Sequence, residues 1–231
     1  MDKTYPSADA AIEGMRDGIT LLAGGFGLCG NPEHLIKAIA RRGIKNLSII
    51  SNNCGIDGVG LGLLLQNGQV RSMTSSYVGE NKTFERLFLG GELEVTLVPQ
   101  GTLAERIRAG GAGIGGFYTP TGYGTPVADG KEVREIDGRW YVLEKPIRGD
   151  FAIIKAQRGD RHGNLVFHGT ANNFNQAMAT AADVVIAEVE EIVEAGELDP
   201  NFIHVPGIYV DRIIVGESYD KPIEFRTVRE G

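Results

Sequence analysis

Histidine and cysteine are scarce in this chain, with four of the first and two of the second among 231 residues. Cys29 and Cys54 could close at most one bridge, so no disulfide framework holds the fold. His34, His162, His168 and His204 are scattered without the spacing of metal ligands, and metal catalysis is not expected. Basic charge is also short: 23 Lys and Arg stand against 30 Asp and Glu, for a net charge of −7. That balance offers no electrostatic footprint for nucleic acid or for an anionic membrane surface. Any anionic ligand must then be met by local groups. No apolar run approaches the roughly 20 residues that span a bilayer, and nothing at the N-terminus resembles a signal or transit sequence. With so few cysteines, these absences predict a cytoplasmic protein.

Glycine is in excess, at 33 of 231 residues, where average usage is about 7%. The length suits one domain, 1–231, with a sizeable core. After the turn signal Asp17-Gly18, residues 19–23 read as a short buried strand. Asn31 as cap and Pro32 in the first turn then open a helix to about Arg42, with Leu35, Ile36, Ala38 and Ile39 at helical spacing. The alternation continues with strands at 47–51, 70–75 and 93–98 and helices at 61–66, 82–89 and 103–109. This predicts an α/β fold: an open, mostly parallel sheet flanked by helices on both faces. Beyond Gly110 the run "GGAGIGGFYTPTGYGTP" has no periodicity and reads as a long loop. Two runs around Asp137-Gly138 predict an antiparallel hairpin elaboration. A β-rich unit at 151–167, a helix at 174–181 and the strand "DVVIAEVEEIV" follow.

Gly25-Phe26-Gly27-Leu28-Cys29-Gly30 satisfies the G-x-G-x-x-G spacing of dinucleotide-binding folds. The context does not fit. In that fold the helix opens inside the fingerprint and meets the pyrophosphate, whereas Asn31-Pro32 postpone the helix until after Gly30. The ribose-binding carboxylate expected at the end of the next strand is also missing, since that stretch reads Ser51-Asn52-Asn53-Cys54.

Ligands of open α/β sheets bind beyond the carboxyl ends of the strands. Those ends carry 24–30, then Ser51-Asn52-Asn53, then Ser75-Ser76-Tyr77 with Glu80-Asn81, then Pro99-Gln100-Gly101. Amides and hydroxyls dominate, a set suited to polarising a carbonyl oxygen and holding a carboxylate. Thr102 and Glu105 have the T-x-x-E spacing of a capping box, which predicts a helix starting there and leaves Gln100 on the strand end beside its positive pole. The Gln100 amide could then donate to a developing oxyanion, or merely satisfy loop carbonyls. Asn52 and Asn53 could line a pocket or fill a turn. Cys54 reads as buried filler rather than nucleophile. Glu80, the one carboxylate among these ends, could act as a nucleophile, pair with Lys82 or Arg86, or cap a helix with Asn81. The acidic stripe Glu188, Glu190, Glu191, Glu194 reads as a solvated or subunit-facing edge.

The run 17–32, "DGITLLAGGFGLCGNP", together with "SNNCGIDGVGLGLLL", "SSYVGEN", "VPQGTLAERIRAGGAGIGGFYTPTGYGT" and "GELDP", resembles the A (alpha) half of family I coenzyme A transferases, in its 3-oxoacid branch. The resemblance implies a ping-pong transfer of CoA between succinyl-CoA and an acid such as acetoacetate through a glutamyl-CoA thioester. It implies that the glutamate lies in a Ser-Glu-Asn-Gly motif on a B subunit, that two A and two B chains assemble, and that this chain alone is inactive. CoA thioester would be substrate, with no permanently bound cofactor. By the same resemblance Gln100 matches an oxyanion-hole glutamine. Asn52, Asn53 and Tyr77 would line the acid pocket, and Gly24, Gly25, Phe26, Gly27 and Gly30 would let backbone approach it. Glu80 belongs to an A-half motif and is not assigned as the nucleophile. In "TANNFN", Asn172 stands where relatives commonly carry Arg. Acetate, butyrate or 3-oxoadipate transferases and a non-catalytic ligand-binding relative remain alternatives.

Overall fold

The computed structural model describes residues 1–221. Along the chain run α1 (Ala8–Ala11), β1 (Thr20–Ala23), α2 (Glu33–Arg42), β2 (Leu47–Ile50), α3 (Gly62–Gln66), β3 (Val70–Ser75), α4 (Lys82–Leu89), β4 (Glu94–Leu97) and α5 (Gln100–Gly111). Next come β5 (Phe117–Thr119), β6 (Val133–Ile136), β7 (Arg139–Glu144), β8 (Gly149–Asp160), β9 (Leu165–Val166), α6 (Asn175–Thr180), β10 (Ala182–Val193) and β11 (Arg212–Val215). The main sheet has the order β11-β10-β8-β1-β2-β3-β4 and is parallel along that path. β9 adds antiparallel to β8. The expected open, mostly parallel sheet flanked by helices is therefore observed, with β11 and α1 in addition to the expected elements.

Alternate residues of each strand enter opposite cores. Leu21, Ile49, Ile153 and Ile186 pack with Leu35, Ile39 and Leu64 on one face. Leu22, Ile50, Ile154 and Val185 pack with Leu103, Ile107 and Met178 on the other. Both faces are covered, which is why the strands read as continuous apolar runs. Chain order runs outward from β1 through β2, β3 and β4 on one side, and β8, β10 and β11 lie on the other. The direction of winding thus changes at β1, and ligand crevices of such sheets open at this kind of switch point.

The hairpin of β6 and β7 turns at Asp137 (φ 48°) and Gly138 (φ 75°), two consecutive left-handed residues as a type I′ turn requires. One correction concerns the glycine-rich segment before it, expected as loop throughout. Phe117–Thr119 pairs antiparallel with β7 and makes the hairpin a three-stranded sheet. Three residues are too few to display a strand period in sequence.

The start of α2 differs from expectation. Pro32, with no side-chain bond, occupies the cap position, and the Asn31 side chain instead lies against Gly25 and Gly60. The capping acceptor comes from across the sheet: Glu188 Oε2 on β10 accepts the Leu35 N–H at 2.9 Å. Its other oxygen meets His34 Nδ1 at 3.0 Å. A carboxylate at the positive end of a helix is electrostatically favoured. Glu188 is fully buried, so the solvated or subunit-facing edge expected for this stripe does not hold for it. Glu190 is partly buried against Lys155 and Lys221, while Glu191 and Glu194 are exposed and pair with Arg158 and Arg161.

Candidate active site

The loop after β1 folds back on itself. Phe26 and Cys29 exchange both backbone hydrogen bonds at 3.0 Å, and Gly27 in the turn has φ 58°, a conformation that favours glycine. Gly25 (φ 116°) and Gly30 (φ 72°) share that demand, and at these two and at Gly24 close packing adds a second reason. A Cβ on Gly24 would stand 1.9 Å from Asn175 Oδ1, and one on Gly25 would stand 1.9 Å from Asn31 Oδ1. A Cβ on Gly30 would crowd Ala171. These three positions admit side chains of the protein itself.

Asn175 is buried and locks this region. Its Oδ1 accepts the Lys155 N–H at 3.0 Å, and its Nδ2 donates to Gly30 O at 3.1 Å and Ala171 O at 2.9 Å. On this side a cavity of about 650 Å³ lies between the glycine loop, β8 and 168–171, with Lys155 and Glu190 in its wall. Asn172 accepts a hydrogen bond from Gln176 Nε2. Burial tends to raise the Glu190 carboxyl, but the Lys155 and Lys221 ammonium groups hold it below the usual carboxylate range.

On the other side of the loop, Asn52, Ser76 and Gln100 meet at the ends of β2, β3 and β4. Asn52 is buried. Its Oδ1 accepts the Gly27 N–H at 3.1 Å, and its Nδ2 donates to Ser76 Oγ at 3.0 Å and to Gln100 Oε1 at 3.2 Å. The Ser76 hydroxyl donates in turn to Asn52 O at 3.2 Å. Gln100 is exposed, and its Nε2 meets no acceptor among the described residues.

The capping box expected at Thr102 is corrected. Helix α5 begins at Gln100 itself, after Pro99, with no side-chain cap. Thr102 lies inside its first turn, buried and with its hydroxyl unpaired, while Glu105 pairs with Arg108 at 2.7 Å. Proline offers no N–H and fixes φ, which suits a helix entry and lets the helix start earlier than the T-x-x-E spacing suggests. Gln100 therefore rides on the positive end of α5 rather than on the strand before it.

Of the remaining candidates, Tyr77 is exposed with its ring over Gly79, and Phe26 is exposed on the glycine loop. Asn53 is buried, with Oδ1 accepting the Gly55 N–H at 3.2 Å in its own turn. Glu80 is exposed, has φ 48°, and makes no hydrogen bond or ion pair among the described residues. Neither Lys82 nor Arg86 pairs with it; α4 is capped by Asn81, which takes the Phe84 N–H at 2.9 Å, and by Asp57, which takes the Lys82 and Thr83 N–H groups at 3.1 and 2.9 Å. Cys54 lies in the core, where burial pushes its thiol up. Among the described residues no group of three His, Cys, Asp or Glu could hold a metal ion, and no helix is long and apolar enough to cross a membrane. Ser76 is visible in the sequence only as one member of a strand end; its link to Asn52 has no signal there beyond that position.

A family model, Coenzyme A transferase, matches residues 5–216. The chain belongs to this family. It is 61% identical over 230 residues to the A subunit of a probable succinyl-CoA:3-ketoacid coenzyme A transferase of Bacillus subtilis, covering 100% of this chain and 97% of that one. The A subunit of the succinyl-CoA:3-ketoacid coenzyme A transferase of Helicobacter pylori strain J99 is 57% identical over 99% of both chains. Among solved structures, an acyl-CoA transferase of Escherichia coli O157:H7, in a thioester complex with CoA, superposes with a TM-score of 0.83 at 25% identity. The match covers 95% of this chain and 48% of that one, so this chain spans about half the length of that enzyme. Glutaconate coenzyme A-transferase of Acidaminococcus fermentans shares the fold, with a TM-score of 0.81 at 22% identity over 92% of this chain and 75% of that one.

Proposed function

We propose that this chain, as a single domain, is the A subunit of a heteromeric transferase that moves CoA between succinyl-CoA and a 3-oxoacid such as acetoacetate. It supplies the oxyanion-binding half of a site shared with a B subunit, two copies of each forming the enzyme. The observation that carries this reading is the Gln100 amide, held by its oxygen at the positive end of α5 while its Nε2 meets no acceptor among the described residues. The subunit names of the relatives support the division between chains.

The chemistry follows from what this half offers and what it lacks. The B subunit's glutamate carboxylate attacks the thioester carbonyl, and the carbonyl oxygen becomes an oxyanion as the new C–O bond forms. Gln100 Nε2 donates to that oxygen, a contribution worth about 10²-fold to 10³-fold in kcat for a single donor. The C–S bond breaks, leaving a succinyl-glutamyl anhydride and CoA thiolate. The thiolate attacks the glutamyl carbonyl, releases succinate and leaves a glutamyl-CoA thioester. Attack by the acceptor carboxylate expels thiolate again, which then takes the new acyl group and restores the glutamate. Asn52, Asn53 and Tyr77 line the acid pocket beside Gln100, with the loop of Gly24, Gly25, Phe26, Gly27 and Gly30 at its edge. CoA thioester and small carboxylic acids are the substrates, and no resident cofactor takes part.

Intact-mass measurement of the co-expressed pair after incubation with succinyl-CoA tests this division of labour. The CoA adduct is expected on the partner chain and not on this one. An adduct on this chain, lost in Glu80→Gln, would move the nucleophile here and overturn the reading.

A further inference from the structure

We infer that Asn52 is a positioning residue that fixes which face of the Gln100 amide meets the substrate, an inference that rests on the reading of Gln100 as an oxyanion donor. A glutamine amide has two orientations of nearly equal shape. One offers N–H to a developing oxyanion, and the other offers a lone pair that repels it. Something must break this symmetry.

The chain of bonds begins at a donor that cannot turn over. The Gly27 N–H is a backbone group, oriented by the tight turn between Phe26 and Cys29. It donates to Asn52 Oδ1 at 3.1 Å, so Asn52 must present its oxygen to Gly27 and its Nδ2 away from it. That Nδ2 donates to Ser76 Oγ and to Gln100 Oε1. Ser76 Oγ is kept as an acceptor because its own hydrogen goes to Asn52 O. With Oε1 engaged, the Nε2 of Gln100 faces outward. Asn52 is nearly inaccessible, at 2% relative exposure, so its own end of these bonds is shielded from water, while Gln100 is exposed.

The near-isosteric Asn52→Asp isolates this role. A carboxylate still accepts the Gly27 N–H but can no longer donate to Gln100, whose amide then turns its nitrogen inward and its oxygen outward. In the pair formed with the B subunit, N52D should lower kcat toward the level of Gln100→Met, on the order of 10²-fold, and raise KM for the acids as well, because its new charge borders their pocket; Asn52→Ala adds no charge and should lower kcat with a smaller change in KM. Added to the Gln100→Met variant, it should cost less than about 3-fold more, because residues acting through one another are not additive. No titratable side chain is bonded to Asn52 among the described residues. The N52D deficit should therefore narrow as pH falls and the new carboxyl regains a proton to donate. The Asn52→Ala variant loses kcat without that recovery, and it serves as the second variant if N52D does not assemble.

The two layers fail differently. Unchanged kcat in Gln100→Met would remove the oxyanion reading itself. A large loss there, with normal kcat in both Asn52 variants, would overturn only the positioning role. So would an effect on KM alone, or a fully additive double variant.

Discussion

Replacing Gly24 by alanine should destabilise the chain by about 3 kcal/mol, although nothing in its backbone demands glycine. Gly24 is not among the residues with positive φ, so the cost is one of space. The added Cβ would lie 1.9 Å from Asn175 Oδ1, 2.7 Å from its Cγ and 3.3 Å from its Cα. Asn175 has no exposed direction in which to move. Displacing its amide breaks the bonds to Lys155 N, Gly30 O and Ala171 O. At a net worth of about 1 kcal/mol each, three such bonds give the stated figure. Urea unfolding followed by circular dichroism measures it, with the denaturant slope expected to stay unchanged. On an Asn175→Ala background the amide is already gone and the methyl has room, so Gly24→Ala should then cost less than about 1 kcal/mol, a coupling of about 2 kcal/mol. A cost below about 0.5 kcal/mol for the single change, or strict additivity of the pair, would refute the reasoning.

Thr102→Val should be neutral or stabilising, because the buried hydroxyl has no partner and an unsatisfied polar group costs about 1–3 kcal/mol; a loss of about 1 kcal/mol in thermal unfolding would reinstate a capping role. His34→Gln should lower stability more at acid than at alkaline pH. The hydrogen bond that His34 donates to Glu188 raises the His34 pKa above its ordinary value of 6.5 against the opposing effect of burial. The stabilisation it contributes is thus complete below that ordinary value and is lost as pH rises through the raised one. Urea titrations at pH 5.5 and pH 8.5 should show the gap between the two proteins shrinking at the higher pH, and a gap that grows would contradict the assignment. Glu188→Ala should cost about 3 kcal/mol in the same assay, since it leaves a cavity and removes the acceptor of the Leu35 N–H; a change under about 1 kcal/mol would show that α2 does not depend on this cap.

The sheet and its flanking helices were legible because both signals are local. The strands carry short apolar runs, and α2 carries Leu35, Ile36, Ala38 and Ile39 on one face. Residues 70–75 and 82–89 were predicted with the bounds the structure shows. What could not be read locally was long-range capping and close packing. Asn31 has the composition of an N-cap, but Gly25 and Gly60 leave it a niche, and Glu188, more than 150 residues away, supplies the acceptor instead. The T-x-x-E spacing at Thr102 misled for a related reason: Pro99 starts the helix first. In the candidate site, the residue types at each strand end, Gln100 among them, were visible in sequence. The bond from Asn52 to Gln100, and the dependence of Gly24 on Asn175, exist only once the strand ends are brought side by side.

The central claim is that this chain holds half of a CoA transferase site. It is tested most directly by following CoA transfer from succinyl-CoA to acetoacetate with the purified chain alone and with the same chain co-expressed with a B subunit. Activity confined to the pair, and lowered by Gln100→Met, is the predicted result. Full activity in the isolated chain, abolished by Glu80→Gln, would contradict it.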